Sequence, residues 1–145
     1  MKDKNEINVL DELNKGACMG MDAIHFIIDK VKDEDLIEEL NIQYNKYKEI
    51  SNKINKLYPE YSKKEPHDTN IANKVMTWYG IEMKTLTDDS TSKIAELLMK
   101  GTNMGIIEGR RLLNHKNVDK QVKKIIEQYV VMQEDAVENL KKFLL

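Results

Sequence analysis

The chain has 145 residues, enough for one domain that buries a core without a disulfide or a structural metal, and its single cysteine, Cys18, excludes any intrachain disulfide. Lys and Arg number 23 against 25 Asp and Glu, and the two signs are interleaved to a net charge of -2. That surface excludes the basic stripe a nucleic-acid backbone requires.

The opening residues Met1-Lys2-Asp3-Lys4-Asn5-Glu6 carry acid and lead into no early apolar run, unlike a signal peptide. The longest nearly apolar stretch, Gly16 to Ile28, is interrupted by Asp22 and His25 and falls short of the roughly 18 apolar residues of a membrane span. A soluble, cytoplasmic protein with no membrane partner is expected. Two prolines and six glycines suit long helices better than strands and turns.

The first helix is read from its heptads. Leu10, Ala17, Ile24 and Val31 stand seven apart, and Leu13, Gly20 and Ile27 form the companion row of one seam. Val9, Met19, Ala23 and Phe26 widen the stripe, so a second layer must cover this helix, either a crossover helix or a homodimer contact. Asp33-Glu34-Asp35 then suit the positive end of a second helix, after Lys30 and Lys32 at the end of the first. Leu36, Leu40, Gln43, Tyr47, Ile50, Ile54 and Leu57 carry the second seam until Pro59 stops it.

Residues 61–68 are polar and read as a loop. Ile71, Val75, Trp78, Glu82, Met83 and Leu86 follow as an amphipathic helix, and Asp88-Asp89-Ser90-Thr91 as the cap before the next. The remainder repeats the beginning. Lys15-Gly16-Ala17-Cys18-Met19-Gly20-Met21 matches Lys100-Gly101-Thr102-Asn103-Met104-Gly105-Ile106 at an offset of 85, which also sets Gln43-Tyr44 on Gln128-Tyr129. The same offset brings Ile37, Tyr44, Ser51 and Tyr58 onto Val122, Tyr129, Ala136 and Phe143, rows expected in the core of both halves. The expected organisation is one all-α domain over 1–145: a first repeat at about 5–58, a crossover at 59–90 and a second repeat at about 91–144.

Two helix pairs, a long helical crossover and the shared Lys-Gly-x-x-Met-Gly stretch resemble the ferritin-like superfamily, in particular its small bacterial members. The resemblance implies an antiparallel four-helix bundle with internal two-fold symmetry. It also implies a two-metal centre built from one Glu on each of the first and third bundle helices and a Glu-x-x-His on each of the second and fourth. Laid on that pattern, Ala17 and Thr102 replace the two lone carboxylates. Lys48 and Ser51, then Gln133 and Ala136, stand at the Glu-x-x-His positions. No Glu-x-x-His occurs anywhere, and the three histidines are His25, His67 and His115. The metal centre is therefore expected to be absent, with no cofactor and no catalytic residue.

Gly16 and Gly20, with Gly101, Gly105 and Gly109, place glycines four apart on the first and third bundle helices. Each costs helix stability, so a steric reason is expected: tight packing of these helices, or room for Tyr44 and Tyr129 to cross the core, with a ligand cavity as the competing explanation. Atypical metal ligands are confined to Asp22, His25, Glu49, Glu108 and Glu134, and Asp22 with His25 is too few for a closed site. Cys18 and His25, seven apart on a helix, are about 10 Å distant along its axis, too far for a nucleophile and its base. The expected function is a non-catalytic bundle acting through protein contacts or as a structural homo-oligomer, with a homodimer or another protein as partner, and metal or oxidant handling as the alternative.

Overall fold

The computed structural model describes residues 2–63, 71–85, 90–115 and 117–145. They form five helices: α1 (Lys2–Ile27), α2 (Glu34–Leu57), α3 (Ile71–Thr85), α4 (Thr91–His115) and α5 (Lys120–Leu140). Short 3-10 turns follow at Ile28–Lys30, Tyr58–Glu60 and Lys141–Phe143. The chain is all-helical, without a strand among the described residues, and none of these helices is long and apolar enough to cross a membrane. Pro66, His67 and Asp68 of the expected loop, Leu86 of the crossover helix, and Asp88 and Asp89 of the expected cap lie outside the described residues.

Local chemistry fixes the helix ends. Asp33 accepts the Leu36 N–H at 3.0 Å, closing one of the unpaired donors at the start of α2. Lys30 sits 4.3 Å above the Phe26 ring and donates to the Phe26 carbonyl, a favourable place for a cation at a helix C-terminus. Pro59 falls inside the 3-10 turn that ends α2. The start of α5 is anchored from two sides: the Asp119 N–H donates to Glu6 of α1 at 3.1 Å, and the Tyr61 hydroxyl donates to the Asp119 carboxylate at 3.0 Å.

Helices α1 and α2 lie side by side, as do α4 and α5, while α2 packs on α5 and α3 on α1. The order of the contacts gives the direction. Along α1, Asn14 accepts from Ser51 and Gly20 lies under Tyr47, so α2 runs the opposite way. Along α2, Tyr47 meets Gln133 and Lys53 donates to Gln128, so α5 opposes α2 in turn. Helices α1 and α4 touch each other far less.

The two expected seams are buried. Leu10, Leu13, Ala17, Ile24 and Ile27 of α1 and Val31 just after it are buried, as are Leu36, Leu40, Gln43, Tyr47, Ile50, Ile54 and Leu57 of α2, with only Gly20 half-buried. The crossover helix α3 packs against α1; of the widened stripe of α1, Val9 and Ala23 are buried and Met19 and Phe26 half-buried.

One expectation is corrected. Val122, Tyr129 and Ala136 are buried and Phe143 is half-buried, whereas Ile37, Tyr44 and Ser51 are half-buried and Tyr58, in the turn after α2, is buried, so within α2 itself the matching row flanks the core. Burial in α5 repeats that of α2 at an offset of 86: Leu36, Leu40, Gln43, Tyr47, Ile50 and Ile54 correspond to Val122, Ile126, Tyr129, Gln133, Ala136 and Leu140. The residues preceding the two helices, Asp33 and Asp119, show the same spacing. Counted from the matched glycines, Gly105 to Asp119 is one residue longer than Gly20 to Asp33, and a one-residue shift rotates a helix face by about 100°.

Candidate functional site

The glycines of α1 and α4 are where the interior becomes unusual. A Cβ on Gly16 would strike the Tyr129 hydroxyl, one on Gly20 the Tyr47 ring, one on Gly101 the Tyr79 hydroxyl, and one on Gly105 the Gln133 carboxamide. Gly109 likewise accommodates Val130 and the edge of Tyr129. Each glycine thus lets a bulky side chain from α5, α2 or α3 rest on bare helix backbone. Tyr79 reaches α4 from the crossover helix, with Trp78 set edge-on to it at 4.8 Å.

These side chains leave a cavity of about 530 Å³ between α1 and α4, within the size range of small-molecule sites. All five of those glycines line it, together with Tyr47, Tyr79 and Tyr129, the polar Gln43, Thr102 and Gln133, and an apolar remainder that includes Ile24 and Leu98. Its lining runs out to the exposed Glu12, Glu108 and Arg111, so it opens to the surface there. The charged groups at that rim pair off as Lys15–Glu12 at 3.3 Å and Arg111–Glu108 at 2.8 Å.

The inner polar groups are neutral. Burial pushes the phenols of Tyr47, Tyr79 and Tyr129 above their ordinary value of 10.0; hydrogen bonding with Gln133 and Thr102 only partly opposes this at Tyr47. The Tyr47 and Tyr129 rings lie 6.5 Å apart, tilted by 60°. Gln133 donates from Nε2 to the Tyr47 hydroxyl at 3.3 Å, and Thr102 turns its hydroxyl proton to the Leu98 carbonyl at 2.8 Å. Gln43 instead points its carboxamide nitrogen at Glu39, 2.8 Å away.

Of the six positions laid on the metal pattern, Ala17, Thr102, Gln133 and Ala136 are buried, and Thr102 and Gln133 face the cavity. Lys48 is exposed and Ser51 is half-buried against Asn14, which corrects the expectation that they face the centre. The one-residue displacement of the buried face of α5 accounts for this: the α2 counterparts of Gln133 and Ala136 are Tyr47 and Ile50. Tyr44 is corrected for the same reason, since it is half-buried and Tyr47 takes the place on the glycine face.

The alternative metal ligands are not brought together. His25 and Glu49 are exposed, Asp22 is half-buried, Glu108 pairs with Arg111, and Glu134 pairs with Arg110 at 2.6 Å. Among the described residues no three His, Cys, Asp or Glu side chains gather as an ion would need. His67 and the side chain of His115 lie outside what is described.

Tyr79 and the Gln43–Tyr47 pair are the wall residues that the sequence patterns did not single out as a site. The available signal was a glutamine and a tyrosine four apart within otherwise aliphatic seams, once as Gln43–Tyr47 and once as Tyr129–Gln133. Comparison with protein-family models, with curated proteins and with solved structures found no match to this chain.

Proposed function

We propose that this chain is a cytoplasmic, non-catalytic, ferritin-like four-helix bundle that binds a small molecule in its central cavity, in the place where that superfamily holds two metals. The opposed directions of α1 and α2 and of α2 and α5 support the antiparallel arrangement, and the helical crossover between α2 and α4 supports the superfamily's connection. One observation carries the binding reading: a cavity of about 530 Å³ faced by glycines on α1 and α4, with two of the positions matched to metal ligands, Thr102 and Gln133, in its wall.

Ligand binding is preferred to action through protein contacts because the exposed large apolar residues are spread over Ile42 on α2, Ile81 on α3, Met104 and Ile107 on α4, Val131 on α5 and the terminal Leu144 and Leu145. A homodimer is the companion proposal, decided by mass in solution against 16.9 kDa for one copy.

The neutral fluorescent probe N-phenyl-1-naphthylamine tests the binding reading. It is expected to bind the folded protein at one saturable site and to be lost in Gly20→Leu, with helix content retained by circular dichroism. Absence of saturable binding, or binding unchanged in a folded Gly20→Leu variant, overturns the proposal.

A further inference from the structure

Gln133 is 2% exposed, and its Oε1 has no hydrogen-bond partner among the described residues. The other half of the carboxamide is engaged, because Nε2 donates to the Tyr47 hydroxyl at 3.3 Å and the same group acts on the Tyr129 phenol. The neighbouring hydroxyl of Thr102 has its proton committed to the Leu98 carbonyl. A buried carbonyl oxygen without a donor is unfavourable, and Oε1 is covered in the empty protein, so a donor entering the cavity would satisfy it with a small turn of the carboxamide.

The rest of the wall restricts what that group belongs to. The charged residues lining the cavity are two acids and two bases that pair with each other at the rim, and the interior offers amides, phenols, a threonine and hydrocarbon. An ion of either sign would give up its hydration there without gaining a counter-charge. The aromatic rings of Tyr47 and Tyr129 and the aliphatic Ile24 and Leu98 favour an apolar body.

We propose, on the basis of the ligand-binding reading above, that the occupant is an uncharged, largely apolar molecule carrying an N–H or O–H that it donates to Gln133 Oε1. Gln133 is then the residue that selects the ligand, and the hydrocarbon and aromatic wall supplies affinity without selecting for a donor.

The pair indole and benzofuran tests this, since the two have nearly the same shape and differ by a ring N–H in place of an ether oxygen. Calorimetric titration of the full chain should show indole binding about tenfold more tightly, the ratio expected when one compound satisfies the buried carbonyl and the other leaves it unpaired. In Gln133→Met the two affinities should converge. Equal affinities for the unaltered protein, which is the result if water alone occupies Oε1, overturn the proposal. Tighter binding of benzofuran overturns it as well, because the amide nitrogen would then face the cavity. Preference for indole that survives in a folded Gln133→Met variant assigns the selection elsewhere and also overturns it. If N-phenyl-1-naphthylamine binds while indole and benzofuran are not distinguished, the donor rule fails and the cavity reading stands; if nothing binds, both fall.

Discussion

The hydroxyl of Tyr129 on α5 occupies the space that a side chain at residue 16 of α1 would fill. Tyr129 is 3% exposed and is flanked by Gly109 as well, so its ring cannot swing aside without disturbing α4. Gly16→Ala gains about 1 kcal/mol of helix propensity but overpacks this contact at a cost of about 1–3 kcal/mol. A net loss of stability is expected in urea unfolding. Adding Tyr129→Phe, which removes the clashing oxygen, should restore part of it; an unchanged midpoint for Gly16→Ala alone would count against the close approach.

Gly80 on α3 provides the opposite case. Among the described residues a Cβ there meets nothing within 4 Å, and its backbone is not in the left-handed region. Gly80→Ala should therefore stabilise the chain by about 0.5–1 kcal/mol through backbone entropy alone. A raised thermal midpoint with unchanged probe binding is the expected result, and a lowered midpoint contradicts it.

Alkaline stability follows from the phenols. Burial raises Tyr47, Tyr79 and Tyr129 above 10.0, and Tyr61, held by burial and by the neighbouring Asp119 carboxylate, is pushed up to about 12. A raised folded-state value favours the protonated form in the fold. The associated stability is thus fully present below pH 10 and declines above it, through about pH 12 for Tyr61. Each phenol ionised only in the unfolded chain removes about 1.4 kcal/mol per pH unit. Tyrosinate absorbance from the buried rings should therefore rise together with the loss of helical ellipticity. Early ionisation of all six tyrosines in the folded protein would contradict this.

Metal content tests the substituted ligand positions. With Ala17, Thr102, Gln133 and Ala136 buried at four of them, elemental analysis of protein purified without a histidine tag is expected to show far less than one iron or manganese per chain. Stoichiometric metal would require ligands other than those four.

The helices and their buried faces were readable in the sequence because three-four apolar spacing reports a helix face directly. The seams of α1 and α2, the acidic start of α2 and the stop at Pro59 all follow from residue type. The facing of α2 relative to α5 was not readable from matched residues. Gln43-Tyr44 and Gln128-Tyr129 match as letters, yet one extra residue before α5 turns Tyr129 inward and leaves Tyr44 at the flank. A connection length is weakly constrained by composition, whereas the burial it controls is not. The glycine spacing signalled a steric need on α1 and α4, but which side chains would use the room depended on that same residue, and on Tyr79 arriving from α3.

The order of glutamine and tyrosine is reversed between the two facing helices: Gln43 precedes Tyr47 on α2, and Tyr129 precedes Gln133 on α5. Gln43 turns its amide nitrogen to Glu39 while the carbonyl of Gln133 is left without a donor, so the two carboxamides in the wall are chemically unlike. A symmetric room would admit a guest head-first or tail-first with equal ease. This one has a polarity, and an asymmetric guest should be held in a single pose, giving one set of resonances rather than two.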